Sequence, residues 1–353
     1  MSLDRSFYKN KKVLVTGNTG FKGSWICAML TYLGAEVAGY ALEPETEISL
    51  YNILHMKKYI NSIIGDIRDL ELLKKQFDIF SPEIVIHMAA QPIVRKSYSD
   101  PVYTYSTNVM GTVNVLECCR MSNTVRSVVN VTTDKVYNNK EWVWGYRESD
   151  ELNGFDPYSN SKSCSELVTD SYKKCFLNVK GIAVSTVRAG NVIGGGDFSP
   201  DRIIPDCIRA ALKQNTINVR NPYSVRPYQH VLDPLTVYLE IAQRQYNDFS
   251  LNDCYNVGPD ESDCITTGEL ANKFCKYWGE NANWNDCSEK NAPHEAGFLK
   301  LDCSKLKEKF KWKPTYNIDC SVKKTVEWTK YWINNNCIEE YTRKQIDDFF
   351  SGK

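Results

Sequence analysis

The run Val13-Leu14-Val15-Thr16-Gly17-Asn18-Thr19-Gly20-Phe21-Lys22-Gly23-Ser24-Trp25 constrains this chain more than any other. It reads as a short Val-rich strand, a turn with glycines spaced G-x-x-G-x-x-G, and the start of a helix. A helix start exposes unpaired backbone N–H groups and a partial positive charge, and glycine lets a phosphate approach the backbone closely. Gly-rich turns are common in many settings. This one lies between a strand and an amphipathic helix that open the chain, and it predicts a dinucleotide seat made by Gly17, Thr19, Gly20, Phe21, Lys22 and Gly23.

The pattern that follows supports one architecture. Lys12–Thr16, Glu36–Ala41, Tyr59–Ile64, Glu83–His87, Ser127–Val131 and Ile182–Val187 are short runs rich in Val and Ile, as expected of strands covered on both faces. Helical patterns fill the gaps at Lys22–Leu33, Asp69–Phe80, about Pro101–Met121 and about Pro157–Phe176. Alternation of this kind predicts an α/β fold, a doubly wound parallel Rossmann sheet with right-handed crossovers. After Arg188 the chain becomes richer in Gly and Pro, closing on a helix near Cys320–Asn334. The expected division is a dinucleotide-binding domain at 1–190 carrying the catalytic residues and a smaller substrate-binding lobe at 191–353, with the chain free to cross between them.

Charge narrows the partners. The 43 Lys and Arg balance 43 Asp and Glu, so no basic excess suits a nucleic acid. No run approaches the ~18 apolar residues of a membrane span. The first residues, MSLDRSFYKNKK, lack the apolar core of a signal peptide, and the cytosol is the expected compartment. The 13 cysteines are odd in number and contain no C-x-x-C, so packed free thiols are expected rather than disulfides or zinc ligands. His55, His87, His230 and His294 have no metal-ligand partner at usual spacing, and no metal is expected.

Three further groups carry chemistry. Asp66, after the third strand, is placed to accept from an adenine amino group or to cap the helix beginning near Asp69. The acidic residue that commonly holds a ribose after the second strand is displaced; Glu43 stands a residue or two late, so spacing suits NAD and NADP alike. Tyr158 and Lys162, four apart at a helix start, share one face, where an ammonium beside the phenol would lower its pKa and make it a usable base. Thr132-Thr133-Asp134-Lys135 follows the fifth strand, whose carboxyl end faces the ligand crevice of a parallel sheet.

The G-x-x-G-x-x-G turn, His87-Met88-Ala89-Ala90-Gln91, Thr107-Asn108, Tyr158-x-x-x-Lys162 and Arg188-Ala189-Gly190-Asn191-Val192-Ile193-Gly194 occur in one order. In these motifs, over nearly its whole length, the chain resembles the extended short-chain dehydrogenase/reductases, which act largely on nucleotide sugars. The resemblance implies an NAD cofactor touched also by Asp66, Ile67, Ala89, Ala90, Gln91, Thr107, Thr132, Tyr158 and Lys162. It implies a nucleotide-diphosphate sugar as substrate and a homodimer joined through the helices at about 101–121 and 157–176. Related dehydratases carry Thr-Asp-Glu where this chain has Thr133-Asp134-Lys135, and epimerases of the fold have small or hydroxyl residues there. An adjacent acid and amine therefore favours a 4,6-dehydratase. In that reading Tyr158 and Thr133 serve the 4-hydroxyl, Asp134 protonates the leaving 6-hydroxyl, and Lys135 is the base at C5 or stabilises the enolate.

In the second lobe, Arg226 in Arg226-Pro227-Tyr228-Gln229-His230 resembles the arginine of the family's phosphate motif, and its fork matches a diphosphate. Asn191 resembles the asparagine on substrate. Arg202 and Arg220 are further candidates, and His230 reads equally as ligand or structural residue. Trp142 and Trp144 could wall the sugar pocket. The segment Pro293-His294-Glu295-Ala296-Gly297 adds to the resemblance without a specific contact.

Overall fold

Val13, Leu14 and Val15 have no exposed surface, so both faces of their strand are covered and β1 (Lys12–Thr16) sits inside a sheet. The computed structural model describes residues 3–279, 281–288, 298–334 and 337–352. Its main sheet adds β2 (Glu36–Ala41), β3 (Asn61–Ile64), β4 (Ile84–His87), β5 (Ser127–Val131), β6 (Ala183–Ala189) and β7 (Cys254–Val257). The spatial order is β3-β2-β1-β4-β5-β6-β7, with every neighbouring pair parallel. In register, Leu14 lies between Ala38 and Val85. The expected parallel doubly wound sheet is therefore present, and strand order reverses between β1 and β4, where such sheets open their ligand crevice.

Apolar side chains cover both faces. On one, helix α1 (Phe21–Tyr32) contributes Trp25, Ile26, Met29 and Leu30 to the larger core. On the other, α2 (Leu70–Phe80) contributes Leu73 and Phe77, and α3 (Gly111–Met121) contributes Val115 and Leu116. The predicted helix 101–121 does run through, as Pro101–Tyr105, a wide π-type turn at Ser106–Met110, and α3. Helix α4 (Pro157–Tyr172) widens the same way at Lys173–Leu177. The third strand is shorter than predicted because Tyr59, 55% exposed, precedes it in a turn.

Chain beyond residue 190 forms two kinds of structure. Helix α5 (Ile203–Leu212), with the helices Thr267–Trp278 and Ile318–Ile333, encloses a separate small core around Leu270, Phe274 and Val322. Helix α6 (Leu232–Asn247) and β7 instead return to the sheet, and Leu235, Leu239 and Ile241 join the α1 core. The chain beyond residue 190 therefore passes back through the sheet layer rather than staying apart from it. Among the described residues, no helix is long and apolar enough to cross a membrane, and no three His, Cys, Asp or Glu side chains gather as metal ligands.

Candidate active site

The turn after β1 has no room for side chains. Gly17 holds φ of +77°, and a Cβ there would lie 2.8 Å from the Ala89 nitrogen. A Cβ on Gly23 would lie 1.9 Å from the Gly17 carbonyl oxygen. Gly20 begins α1 without a side-chain cap, which leaves the first helical N–H groups available to a ligand. Thr19 is committed elsewhere, its hydroxyl donating to the Leu42 carbonyl at 2.8 Å and tying the turn to the end of β2. This cradle fits a dinucleotide diphosphate.

The loop after β4 closes the seat. Met88 and Ala89 donate their N–H groups to the Thr16 hydroxyl (3.1 and 3.2 Å). Gln91 donates its N–H to Asn108 Oδ1 at 2.8 Å, while Asn108 Nδ2 donates to the Gln91 carbonyl and to Ser161 Oγ (3.1 and 2.9 Å). Asn108, on the π-type turn, thereby straps the loop to α4; sequence reasoning placed it in a motif and gave it no role. Thr107 beside it keeps a buried hydroxyl with no protein partner. His87 is packed, bonded to Thr16 and Thr112, and burial pushes its pKa down to about 3.

Asp66 departs from the expectation. Arg68 grips its carboxylate through Nε (2.9 and 3.0 Å) and Nη2 (2.6 Å), and that pairing holds the carboxyl below its ordinary range. The cap of α2 is Asp69, which accepts from the Leu72 N–H at 3.0 Å. Asp66 is thus not the cap of α2, and Arg68 shares the carboxylate expected to meet an adenine amino group. Ile67 is buried and packs against Gly111. Glu43 is exposed just past β2.

At the end of β5 the chain makes one tight turn, Asp134–Val136. Thr133 donates its hydroxyl to Asp134 Oδ1 at 3.0 Å, whereas Asp134 Oδ2 is buried with no partner. Burial raises the Asp134 pKa, opposed by Lys135, the Thr133 hydrogen bond and Arg226. Across the crevice, Asp156 caps α4 by accepting from the Ser159 N–H (3.0 Å), which sets Tyr158 and Lys162 on the inner face. Burial drives Tyr158 up to about 12, with the Thr133 hydrogen bond pulling the other way, while Lys162 donates to the Val131 carbonyl at 3.0 Å. Burial in turn brings Lys162 down to about 8.

Beneath this pair lies a network that sequence reasoning missed. Glu166, four residues past Lys162, accepts from Thr132 Oγ1 (2.6 Å), Thr186 Oγ1 (2.6 Å), Arg188 Nε (2.9 Å) and Arg188 Nη2 (3.0 Å). Thr132 spends its hydroxyl on this network. The signal was legible: Tyr158, Lys162 and Glu166 form one i, i+4, i+8 stripe.

Of the second-lobe candidates, Arg226 is buried and within electrostatic reach of Asp134, and Arg202 acts on Tyr158 while pairing with Asp197 at 3.4 Å. Asn191 stands at the crevice mouth, its carbonyl accepting from the Gln229 N–H at 3.0 Å. Arg220 lies elsewhere, bridging Asp201 (2.6 Å) and Asp206 (3.4 Å) beside a cavity of about 530 Å³ that Arg209 and Lys213 also line. His230 is fully buried between Trp25 and Tyr316, its Nδ1 accepting from the Leu232 N–H at 3.3 Å. It is a packing residue, because its ring fills the joint between α1 and the second lobe. Trp142 stacks on Tyr146 at 5.2 Å, and Trp144 is 69% exposed. His294 and Glu295 lie outside the described residues.

The site thus combines a diphosphate cradle, a tyrosine–lysine pair and a buried acid beside a lysine. A family profile described as GDP-mannose 4,6 dehydratase matches residues 14–325. A CDP-glucose 4,6-dehydratase of Salmonella typhimurium is 46% identical over 99% of both chains. Among solved structures, the UDP-glucose 4-epimerase of Thermus thermophilus in complex with NAD superposes with a TM-score of 0.79 at 26% identity, over 90% of this chain and 99% of that one. The dTDP-glucose 4,6-dehydratase of Bacillus anthracis in complex with NAD shares the fold, with a TM-score of 0.74 at 22% identity over 92% and 97% of the two chains.

Proposed function

The chain belongs to the GDP-mannose 4,6-dehydratase family, and from that premise we propose that it is an NAD-dependent hydro-lyase converting CDP-glucose to CDP-4-keto-6-deoxyglucose. The observation that carries the reading is Asp134, a buried acid with one unpartnered oxygen, adjoining Lys135 and facing Tyr158. The base and the sugar come from the full-length likeness to the Salmonella enzyme.

The residues divide the work. Gly17, Gly20 and Gly23 hold the dinucleotide through backbone, and NAD, when bound, supplies a hydride acceptor at C4 and a donor at C6, so the reaction has no net redox change. Tyr158 removes the proton of the sugar 4-hydroxyl, and Thr133 hydrogen-bonds the same oxygen. The 4-ketone acidifies C5–H, and Lys135 takes that proton. Asp134, whose pKa burial raises, gives its proton to the departing 6-hydroxyl, which leaves as water. Arg226 and Asn191 hold the substrate end, with Arg202 behind Tyr158.

A panel of nucleotide hexoses with and without added NAD tests the reading. A 4-keto-6-deoxy product from CDP-glucose alone is expected. A C4 epimer would make the enzyme an epimerase, product from a GDP- or UDP-hexose would change the base, and no product from any hexose would overturn the dehydratase. The reading includes a homodimer through the helical stretches 101–121 and 157–176, supported by Val102, Met110, Leu167 and Phe176, which are 79%, 52%, 58% and 44% exposed. Sedimentation as a monomer at micromolar concentration would refute it.

A further inference from the structure

Lys22 is the one charged side chain between Gly17 and Gly23, and the structure leaves it without an acceptor. Its nearest recorded contact is the face of Tyr238 on α6, 6.0 Å from Nζ to the ring centre. The groups that face it are Arg202 ahead of α5, Lys162 on α4 and Asp134 after β5. Lys162 is seated on the Val131 carbonyl and Arg202 on Asp197. Lys22 therefore faces two cations and one carboxylate, and burial of that carboxylate, Asp134, already favours its neutral form.

Tyr238 strengthens the point independently. It is fully buried, its hydroxyl has no hydrogen-bond partner, and it feels both Tyr158 and Asp134. A buried hydroxyl left unpaired is costly, and such groups normally face something that binds. Two unpaired donors, Lys22 and Tyr238, thus line the α1–α6 wall, opposite the Tyr158–Lys162 wall. Lys22 is also the second residue of α1, directly past the glycine cradle. A ligand that answers both donors offers several acceptor oxygens and negative charge beside a helix start, as a diphosphate does.

Resting on the NAD-binding reading above, we propose that Lys22 reaches past the backbone cradle as a side-chain cation for the dinucleotide's diphosphate, steadied by Tyr238, and that dinucleotide binding draws a proton onto it. Burial, Arg202 and Lys162 hold the free ammonium down to about 7, so much of the population lacks that proton at neutral pH. An anion set beside it favours the charged form, and binding and protonation are then linked.

The test is calorimetric and needs no turnover. The full-length chain, freed of nucleotide, is titrated near neutral pH with NAD and separately with ADP-ribose, in two buffers of different ionisation enthalpy. The difference in heat counts the protons taken up. Wild type is expected to take up part of a proton with either ligand. Lys22→Met should weaken both ligands by about tenfold or more and abolish the uptake, as one lost unit of pKa linkage is a factor of ten. Lys22→Arg should keep the affinity and lose the uptake, since arginine stays charged. Uptake that persists in Lys22→Arg overturns the inference even if Lys22→Met fails to fold. So does a Lys22→Met protein that binds dinucleotide normally and loses CDP-glucose instead. Wild type that binds neither dinucleotide overturns the NAD reading itself, a distinct result.

Discussion

Replacing Glu166 with leucine should damage this protein more than any exposed change, and the structure supplies the size of the effect. Glu166 and Arg188 are 4% and 3% exposed, and the carboxylate satisfies two guanidinium N–H groups and two threonine hydroxyls. Glu166→Leu strands the guanidinium in the core, and breaking such a buried pair from one side costs about 3–5 kcal/mol. With an unfolding entropy of about 2.1 cal/mol/K per residue, 353 residues give roughly 0.7 kcal/mol/K, so Tm should fall by about 4–7 °C. Adding Arg188→Met removes the uncompensated charge, and the double variant should regain much of the loss, short of what Tyr137 and the Glu148 carbonyl forfeit when their arginine donor goes. Scanning calorimetry on the two single variants and the double closes the cycle. A Glu166→Leu drop of under about 1 °C, or strictly additive losses, would refute the argument that an unpaired buried charge dominates. Glu166 also props up Lys162, so the milder Glu166→Gln should lower the Lys162 pKa beneath its present value of about 8 and move the alkaline limb of activity to lower pH.

Three other outcomes follow from single contacts. Asp134→Asn should cut kcat by about 10²–10⁴-fold, the usual worth of a general acid, and should also stabilise the fold at neutral pH. The sign is set by the raised folded pKa: charging Asp134 costs stability as pH climbs above the ordinary aspartate value of 3.8, so the gain from Asn should shrink in acid, as urea titrations across pH would reveal. Gly23→Ala puts a Cβ 1.9 Å from the Gly17 carbonyl and should cost about 1–3 kcal/mol, with dinucleotide affinity lost in fluorescence titration; normal binding would mean the turn can open freely. Lys135→Met should abolish C5 proton exchange into solvent; exchange at the wild-type rate would remove Lys135 as the base.

The sheet and the phosphate turn were legible because their causes are local. A strand covered on both faces must be a Val/Ile run, and a cradle that excludes Cβ atoms must be glycine, as at Gly17 and Gly23. The Tyr158–Lys162 pair was legible by spacing, and Glu166 was in principle. What stayed hidden depends on partners distant in sequence. β7 reads as Cys254-Tyr255-Asn256-Val257, too polar and short to announce itself, and joins the sheet only because β6 offers a free edge. His230 carried the chemistry of a ligand, and the fold makes it filler between Trp25 and Tyr316. The pairing of Asp66 with Arg68 was visible locally, the arginine standing two residues on.

The Tyr158 phenol leads to the sharpest test of the site, because Thr133 acts on it directly. Burial sets the phenol at about 12, and the foremost influence pulling it down is the hydrogen bond with Thr133. The same hydroxyl donates to Asp134 Oδ1 at 3.0 Å and favours its charged form too. The hydroxyl carries one proton, which serves the carboxylate or the phenolate in turn, so one threonine couples the base to the acid. A hydrogen bond to a charged group is worth about 1.5–3 kcal/mol, which is about 1–2 pKa units when it acts on one state only. Thr133→Val should raise both groups together, sliding the whole bell of kcat/KM against pH towards alkali instead of narrowing it. Thr133→Ser, which restores the hydroxyl, should return the bell to its place. A valine variant that merely loses activity at unchanged pH optimum would mean Thr133 only fills space, and a serine variant that stays shifted would place the effect in the lost methyl group. A bell that moves with valine and returns with serine makes one hydroxyl the shared control of proton removal at O4 and proton delivery at O6.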